Sequence, residues 1–413
     1  MSLLQTVKLW GENIPWFEGL REKGRIAFEK VGLPTAKTEA WKYSFFKEDD
    51  LRNPQIDMTE HHCCEHCEQH SALPFEALKI EYCNGRLHSE ELPPLAGLMI
   101  KPLVEAIYDK DVQPYLNKSF DLEQFPFAAL NTAYLEQGLF ILLERGTTLS
   151  KPIYICYHHH DNANCLCHIR NVIVLENSAD ATIIEHFDAE PNAIYTQNIV
   201  NEIFIGNNAS LRHLTLQNEA LAAHHVLLNS VEVKNNGCYR SFCAQKGARC
   251  SRQENFIKLL QEGAEAEVNG IYRLVADKQV CDTTTNIRHL APHTLSNQLV
   301  KGVAEKAGRG VFQGQIHIAP NAQQCEGYQL HRALLLDDNA EIDCKPELEI
   351  FADDVKCSHG AASGDLDKEQ LFYMQTRGID EQQAIAILIT AYIDEVIQKI
   401  TDDSLKNWIK QNF

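Results

Sequence analysis

The sequence predicts a mainly β protein built as a β-solenoid, with helical segments at both ends. Three observations carry this. From about Lys151 the chain breaks into short runs rich in Ile, Val, Leu, Tyr and Phe, with no strong helix pattern between them. The breaks resemble one another: Asn177-Ser-Ala-Asp, Asn207-Asn-Ala-Ser, Asn235-Asn-Gly-Cys, Glu262-Gly-Ala-Glu, Lys306-Ala-Gly-Arg, Pro320-Asn-Ala-Gln and Asp338-Asn-Ala-Glu. Their small residues recur at Ala179, Ala209, Gly237 and Ala264, in steps of 30, 28 and 27 residues. A repeat of that length, made of strands and turns alone, marks coils that stack because none buries its inner face by itself. A β-sandwich is the alternative. The repeat favours the solenoid but is too degenerate to fix its register.

Each element has its own reason. Pro15 opens a helix whose apolar positions Trp16, Phe17, Leu20, Ala27, Phe28 and Val31 share one face, and Gly32 and Pro34 stop it. Residues 53–73 are polar and rich in His, Cys and Glu, and read as a loop. Prolines 93, 94 and 102 punctuate the next stretch, and 127–143 reads as a helix leading into a strand. Strand runs are expected at 152–157, 168–175, 181–186, 200–205, 211–216, 226–233, 255–260, 267–275, 314–318, 334–336 and 348–351. Beyond Gly364, Asp367 and Gln370 form a capping signal, Gly378 suits a helix end, and Asp380 with Gln383 opens a second helix. That helix carries Ile385, Leu388, Ile389, Tyr392, Ile393, Val396, Ile397 and Ile400, a wider stripe than one core-facing side requires. It packs on two sides of its own domain, or one side waits for a partner. The expected division is an N-terminal helical and irregular region over 1–150, a β-helix core over 151–364 and a C-terminal helical region over 365–413.

Composition narrows the function. The chain has 413 residues, 44% of them apolar and 23% charged, as in a globular protein. At about 150 residues per domain that is two to three domains, unless one is elongated. The formal net charge of −19 repels phosphate backbones, so no nucleic-acid partner is expected. The apolar stretch 384–393 is too short to span a bilayer. Residues 1–16 lack a basic start followed by an apolar stretch, so no secretory signal is read there. Fourteen cysteines in that context imply reduced thiols and a cytoplasmic setting. No P-loop, G-x-S-x-G or H-E-x-x-H motif occurs. The glycines from Gly308 to Gly314 have one residue too many for G-x-G-x-x-G and precede a strand, so they read as a solenoid turn.

Two constellations carry metal-ligand chemistry. The run His61-His-Cys-Cys-Glu-His-Cys-Glu-Gln-His70 contains Cys64 and Cys67 at half-zinc-site spacing, with His61, His62, His66 and His70 nearby. All of it falls within ten residues, so a solvated loop with adventitious metal binding is the expected reading. A self-contained metalloenzyme or metal store using Cys64, Cys67, His61 and His66 is the alternative. The second constellation is Cys357-Ser-His359. On a strand, residues i and i+2 point the same way, so a thiolate and an imidazole converge there. That pair suits iron, zinc or an iron–sulfur species, but it fills half a coordination sphere. The remaining donors come from neighbours or from a second protein; otherwise Cys357 is a buried thiol and His359 a hydrogen-bonded histidine.

The stretch Leu348-Glu-Ile-Phe-Ala-Asp-Asp-Val-Lys-Cys-Ser-His-Gly-Ala361 resembles the SufB/SufD family of iron–sulfur cluster assembly proteins. So do Gly364-Asp-Leu-Asp367, Leu371-Phe-Tyr-Met374, Thr376-Arg-Gly-Ile379, Arg309-Gly-Val-Phe-Gln-Gly314 and Leu334-Leu-Leu336. Leu33-Pro-Thr-Ala-Lys-Thr-Glu-Ala-Trp-Lys-Tyr43 is similar to the SufD branch. The His/Cys run at 61–70 is not part of the resemblance. It implies a right-handed parallel β-helix flanked by helices. It also implies a non-catalytic, cytoplasmic scaffold subunit that binds no nucleotide itself. The implied partners are a SufB-like protein, which pairs with the end of the β-helix, and a SufC-like ATPase, which docks on the C-terminal helices. A homodimer is compatible with the family when the chain is isolated. A transient iron–sulfur cluster is implied between a SufB cysteine and, by motif position, His359, with Cys357 beside it.

Overall fold

The structure is a computed structural model that describes residues 11, 13–44, 46, 73–88, 95–161 and 165–413. Helix α1 (Pro15–Val31) comes first. Short strands β1 (Leu78–Cys83), β2 (Arg86–Leu87) and β3 (Leu98–Pro102) are next, then helices α2 (Leu103–Ala106) and α3 (Pro126–Ala133) and strand β4 (Leu139–Leu143). The solenoid strands are β5 (Ile153–His159), β6 (Leu166–Leu175), β7 (Asp180–Ala189), β8 (Thr196–Ile205), β9 (Ser210–Asn218), β10 (His224–Val233), β11 (Cys238–Lys246) and β12 (Cys250–Leu259). They continue as β13 (Glu265–Leu274), β14 (Val280–His289), β15 (Leu295–Ala304), β16 (Arg309–Ile318), β17 (Cys325–Leu335), β18 (Glu341–Ile350) and β19 (Val355–Gly364). Helices α4 (Lys368–Thr376), α5 (Glu381–Ile397) and α6 (Asp403–Asn412) end the chain.

From β5 onward the odd strands form one parallel sheet and the even strands another, so consecutive strands alternate between the two. That is a two-sheet β-solenoid of about seven turns, as the repeat predicts. The strands β11, β14, β15 and β19 lie beyond the expected runs. Apolar periodicity fails in β14 (Val-Cys-Asp-Thr-Thr-Thr-Asn-Ile-Arg-His) because its inward residues are polar and satisfied inside the solenoid. Thr283 Oγ1 donates to Gln245 Oε1 at 2.9 Å, and Thr285 Oγ1 to Gln298 Oε1 at 2.5 Å.

The repeated breaks are the corners. The N–H of Ala179, Ala209, Gly237 and Ala264 each bonds the carbonyl three residues earlier, closing a β-turn. The residue before each has positive φ: Ser178 62°, Asn208 55°, Asn236 50° and Gly263 71°. A turn with a left-handed third residue selects Gly or Asn, which explains the composition of the breaks. Gly263 has a second constraint, because a Cβ there would lie 2.2 Å from Asn236 Oδ1 of the neighbouring coil.

Inside the solenoid, one apolar core runs from Ile80 and Ile153 to Val268 and Ile287. A ladder of asparagines threads it. Asn171 donates to Asn201 at 2.9 Å, Asn201 to Asn229 at 2.8 Å and Asn229 to Asn255 at 3.1 Å, each amide stacked on its register partner one coil on. Each buried amide therefore has a partner, which removes most of the cost of burying it.

The ends of the chain cover the outer faces. Trp41, in the Leu33–Tyr43 stretch, is buried; it stacks on Phe127 at 5.1 Å, and the Arg252 guanidinium sits 3.9 Å above its ring. Arg252 also pairs with Asp282 at 2.6 Å, both fully buried, and Ser44 Oγ bonds the same carboxylate. At the other end, Val396, Ile397, Leu405, Trp408 and Ile409 pack on Tyr154, Leu214, Phe242, Ile271 and Leu299 of the odd-strand sheet. Lys301 Nζ fixes α5 by donating to the Tyr392 carbonyl at 2.8 Å and to Glu395 at 2.5 Å. The expected caps form: Asp367 accepts from Glu369 and Gln370, Asp380 accepts from Gln383, and Gly378 has φ 84°. The wide apolar stripe is covered by the protein itself. Its residues are buried or half-buried from Ile385 to Ile400, whereas Ile387, off the stripe, is 49% exposed and α4 buries no residue, leaving Phe372 and Tyr373 exposed.

No helix among the described residues is long and apolar enough to cross a membrane. None of the described cysteines is in a disulfide.

Candidate functional site at the open end of the solenoid

β19 and β18 are the last strands of the two sheets. Each pairs with the chain along one edge, β19 with β17 and β18 with β16, and among the described residues nothing pairs with the other edge. Two ten-residue strands with unpaired N–H and C=O groups, at one end of one body, form a template for another strand.

The register fixes which side chains face inward. In β17 the buried residues are Cys325, Gly327, Gln329, His331 and Ala333, alternating with less buried neighbours. Val355, Cys357, His359 and Ala361 lie opposite Cys325, Gly327, Gln329 and His331. Cys357 and His359 therefore share the inward row of the terminal strand. β19 runs through both residues, so they stand at i and i+2 of one strand.

Their surroundings differ. Cys357 is half-buried and packs at the end of a small apolar cluster with Ile316, Ile318 and Cys325. Burial pushes its thiol up from the usual range, Cys325 adds to this, and the Gly327 backbone N–H opposes it. His359 lies past that cluster and is exposed. The thiol is thus a proton-bearing neighbour of the core, and the imidazole is the donor presented to solvent.

Beneath them the row is polar. Gln329 is buried; its Nε2 donates to the Gly314 carbonyl at 3.3 Å, and its Oε1 has no hydrogen-bond partner among the described residues. His331 stacks on Phe312 with centroids 4.9 Å apart and shares a 3.1 Å hydrogen bond with Tyr272 OH. Burial lowers its pKa to about 4, so the ring is neutral at pH 7. Gln329 and His331 escaped the sequence reading. The signal that finds them is the repeat itself, since Gln329 stands 30 residues before His359.

After His359 the strand reads Gly360-Ala-Ala-Ser-Gly364. Small side chains on a terminal strand let another backbone approach closely. Asp353 and Asp354 lie in the preceding corner and are exposed. Cys64, Cys67, His61 and His66 lie outside the described residues.

Comparison with known proteins agrees with this architecture. Residues 158–392 match the family described as SUF system FeS cluster assembly, SufBD core domain, and residues 6–155 match the SufBD protein N-terminal region. The chain is 30% identical over 383 residues to the iron–sulfur cluster assembly protein SufD of Escherichia coli, covering 92% of this chain and 88% of that one. It is 31% identical over 306 residues to an iron–sulfur cluster assembly SufBD family protein of Synechocystis, covering 72% and 67%. A SufBD family protein of Staphylococcus haemolyticus is 26% identical over 278 residues, or 66% of this chain and 59% of that one. With both regions matched and nearly the whole length aligned, the chain belongs to the SufB/SufD family of iron–sulfur cluster assembly proteins, on its SufD branch.

Proposed function

We propose that this chain is a non-catalytic scaffold subunit of a complex with a SufB-like protein and a SufC-like ATPase, and that it presents His359 to a nascent iron–sulfur cluster. The observation that carries the reading is the terminal strand β19. It offers an exposed imidazole on the inward row, beside an edge with no partner among the described residues. A second β-helix end paired there would bring its own donors to the row. That supplies the half of the coordination sphere that one chain lacks. The cluster is cargo, held in transit.

In this reading His359 contributes one nitrogen to iron as a neutral imidazole. Cys357, its thiol kept protonated by burial, supports the row rather than acting as first donor. ATP hydrolysis is the work of the docked ATPase. The exposed apolar surface of Phe372, Tyr373 and Ile387 is its landing site, and the buried face of α5 carries the resulting force to the sheet through Lys301 and Glu395. The setting is cytoplasmic. A homodimer through the same edge forms when the SufB-like partner is missing.

Co-expression with both partners tests the assembly. The reading expects the three proteins to co-purify, and expects the isolated chain to carry no turnover of its own. Phe372→Ala with Ile387→Asp, both exposed here, should release the ATPase and leave the SufB-like partner bound. An isolated chain with intrinsic activity would favour the self-contained metalloenzyme instead.

A further inference from the structure

A second set of ligand-type side chains lies at the opposite end of the solenoid. His159 ends β5, and Cys165 and Cys167 lie just before and within β6. His159 is fully buried and both cysteines are 7% exposed. One ligand atom from each falls within 4.8 Å of the others. The two Sγ atoms are 3.3 Å apart, and Cys165 Sγ is 3.8 Å from His159 Nδ1. The sulfurs are therefore far beyond a disulfide bond of about 2.05 Å. With metal–sulfur bonds of about 2.3 Å and metal–nitrogen bonds of about 2.0 Å, a tetrahedral site has edges of roughly 3.5–3.8 Å. In such a site the S–S edge is about 3.8 Å and the S–N edge about 3.5 Å; the observed 3.3 Å and 3.8 Å each lie within about 0.5 Å of these values.

The surroundings are built for the set. Ala193, Tyr195, Ala220 and Ala223 form an apolar wall with the two cysteines. Tyr195 stacks on the His159 ring at 3.8 Å and is anchored by donating to Glu219 at 2.9 Å. His159 turns Nδ1 toward the sulfurs, and its buried Nε2, on the far side of the ring, has no hydrogen-bond partner among the described residues. The turn between β1 and β2 closes over the sulfurs. Asn84 presents its carbonyl 3.6 Å from Cys167 Sγ. Gly85, at φ 79°, must lack a side chain because a Cβ would lie 2.2 Å from that sulfur.

The neighbouring trio His158, His160 and Glu190 makes a weaker case. It is partly exposed, and its imidazoles already face carboxylates, His158 to Asp188 at 3.2 Å and His160 to Glu190 at 3.1 Å. Hydrogen bonding accounts for it without an ion.

We propose that His159, Cys165 and Cys167 form a buried binding site for a thiophilic metal ion of the zinc class, with the fourth position left to water or to the Asn84 carbonyl. Two thiolates and an imidazole are the donors such ions select. The site is separate from the open end, since seven strand spacings of about 4.8 Å part β5 from β19, roughly 34 Å. Binding is redox-neutral: one M²⁺ replaces the two thiol protons, which leave to solvent.

The test uses the full-length chain with Cys63→Ser, Cys64→Ser and Cys67→Ser, which removes the thiols of the His61–His70 run. The protein is reduced, stripped with a chelator under anaerobic conditions and titrated with Co²⁺. The proposal expects one equivalent bound, thiolate-to-cobalt charge transfer, the intense visible bands of a tetrahedral ion, displacement by Zn²⁺ and release of two protons. Cys165→Ser and Cys167→Ser should each abolish the charge-transfer band in a chain whose circular dichroism is unchanged, and Cys357→Ser should leave it intact. Zn²⁺ should raise the thermal midpoint of the parent but not of Cys165→Ser. Absence of the band in the reduced parent, or its persistence in both serine variants, would overturn the site and leave the His359 reading untouched.

Discussion

His359 lies directly opposite Gln329 in the parallel register of β19 on β17, an exposed imidazole above a buried amide whose Oε1 has no partner among the described residues. Register neighbours in a sheet are about 4.8 Å apart, within reach of a hydrogen bond between long side chains. An imidazole that donates one N–H to a fixed acceptor holds its other nitrogen ready for a metal. Gln329 is itself held by Gly314, whose carbonyl it bonds and where any Cβ would lie 2.2 Å from its amide nitrogen.

Gln329 should therefore act as a positioning residue. Gln329→Leu should lower cluster retention on the assembled complex by about tenfold, the scale of lost outer-shell support. Gln329→Glu, which keeps an acceptor, should restore most of it. A structural role alone would make both variants equal, as read by the cluster's visible absorbance at matched complex yield.

Exposed Phe372 and Ile387 predict a separable docking defect. Neither is buried in this chain, so Phe372→Ala with Ile387→Asp should leave the thermal midpoint within a few degrees of wild type. Pull-down of the SufC-like ATPase should fall sharply while the SufB-like partner is still recovered. Undiminished ATPase capture would place docking elsewhere.

Acid should destabilise the fold through its buried histidines. Burial lowers His168 to about 3 and His289 and His331 to about 4, below the unfolded value of about 6.5. Above pH 6.5 neither state is charged at these sites. As pH falls from there toward 4 the unfolded chain takes up protons that the folded chain refuses. Stability is lost at up to about 1.4 kcal/mol per pH unit per histidine, and the loss levels off below the folded values. Urea unfolding between pH 7 and 5 should show this slope, and His331→Phe should make it shallower by about one proton. A stability flat across that range would contradict the burial of these rings.

Much of the fold was legible because the corners repeat. Ser178, Asn208, Asn236 and Gly263 occupy left-handed turn positions that few residues tolerate, so composition reveals them. The asparagine ladder was hidden. Asn171, Asn201, Asn229 and Asn255 look like solvent-facing residues until stacking supplies each with a partner from the next coil. The same polar interior masked β14 and β15. At the open end, Cys357 and His359 were visible as a strand-spaced pair, but the burial of one and exposure of the other depend on where the apolar cluster of Ile316 and Cys325 ends. The His159, Cys165 and Cys167 set was missed because the turn at Gly85 that closes over its sulfurs is distant in the sequence.

The most direct test of the central claim is cluster assembly on a complex carrying His359→Ala. His359 is exposed on the terminal strand, so its truncation should leave the fold and the complex intact, as read by circular dichroism and co-purification. Iron and sulfide are then measured on the purified complex after anaerobic reconstitution and after expression in cells. The account predicts a sharp fall in bound cluster at unchanged subunit stoichiometry. Wild-type cluster content on the His359→Ala complex would contradict it.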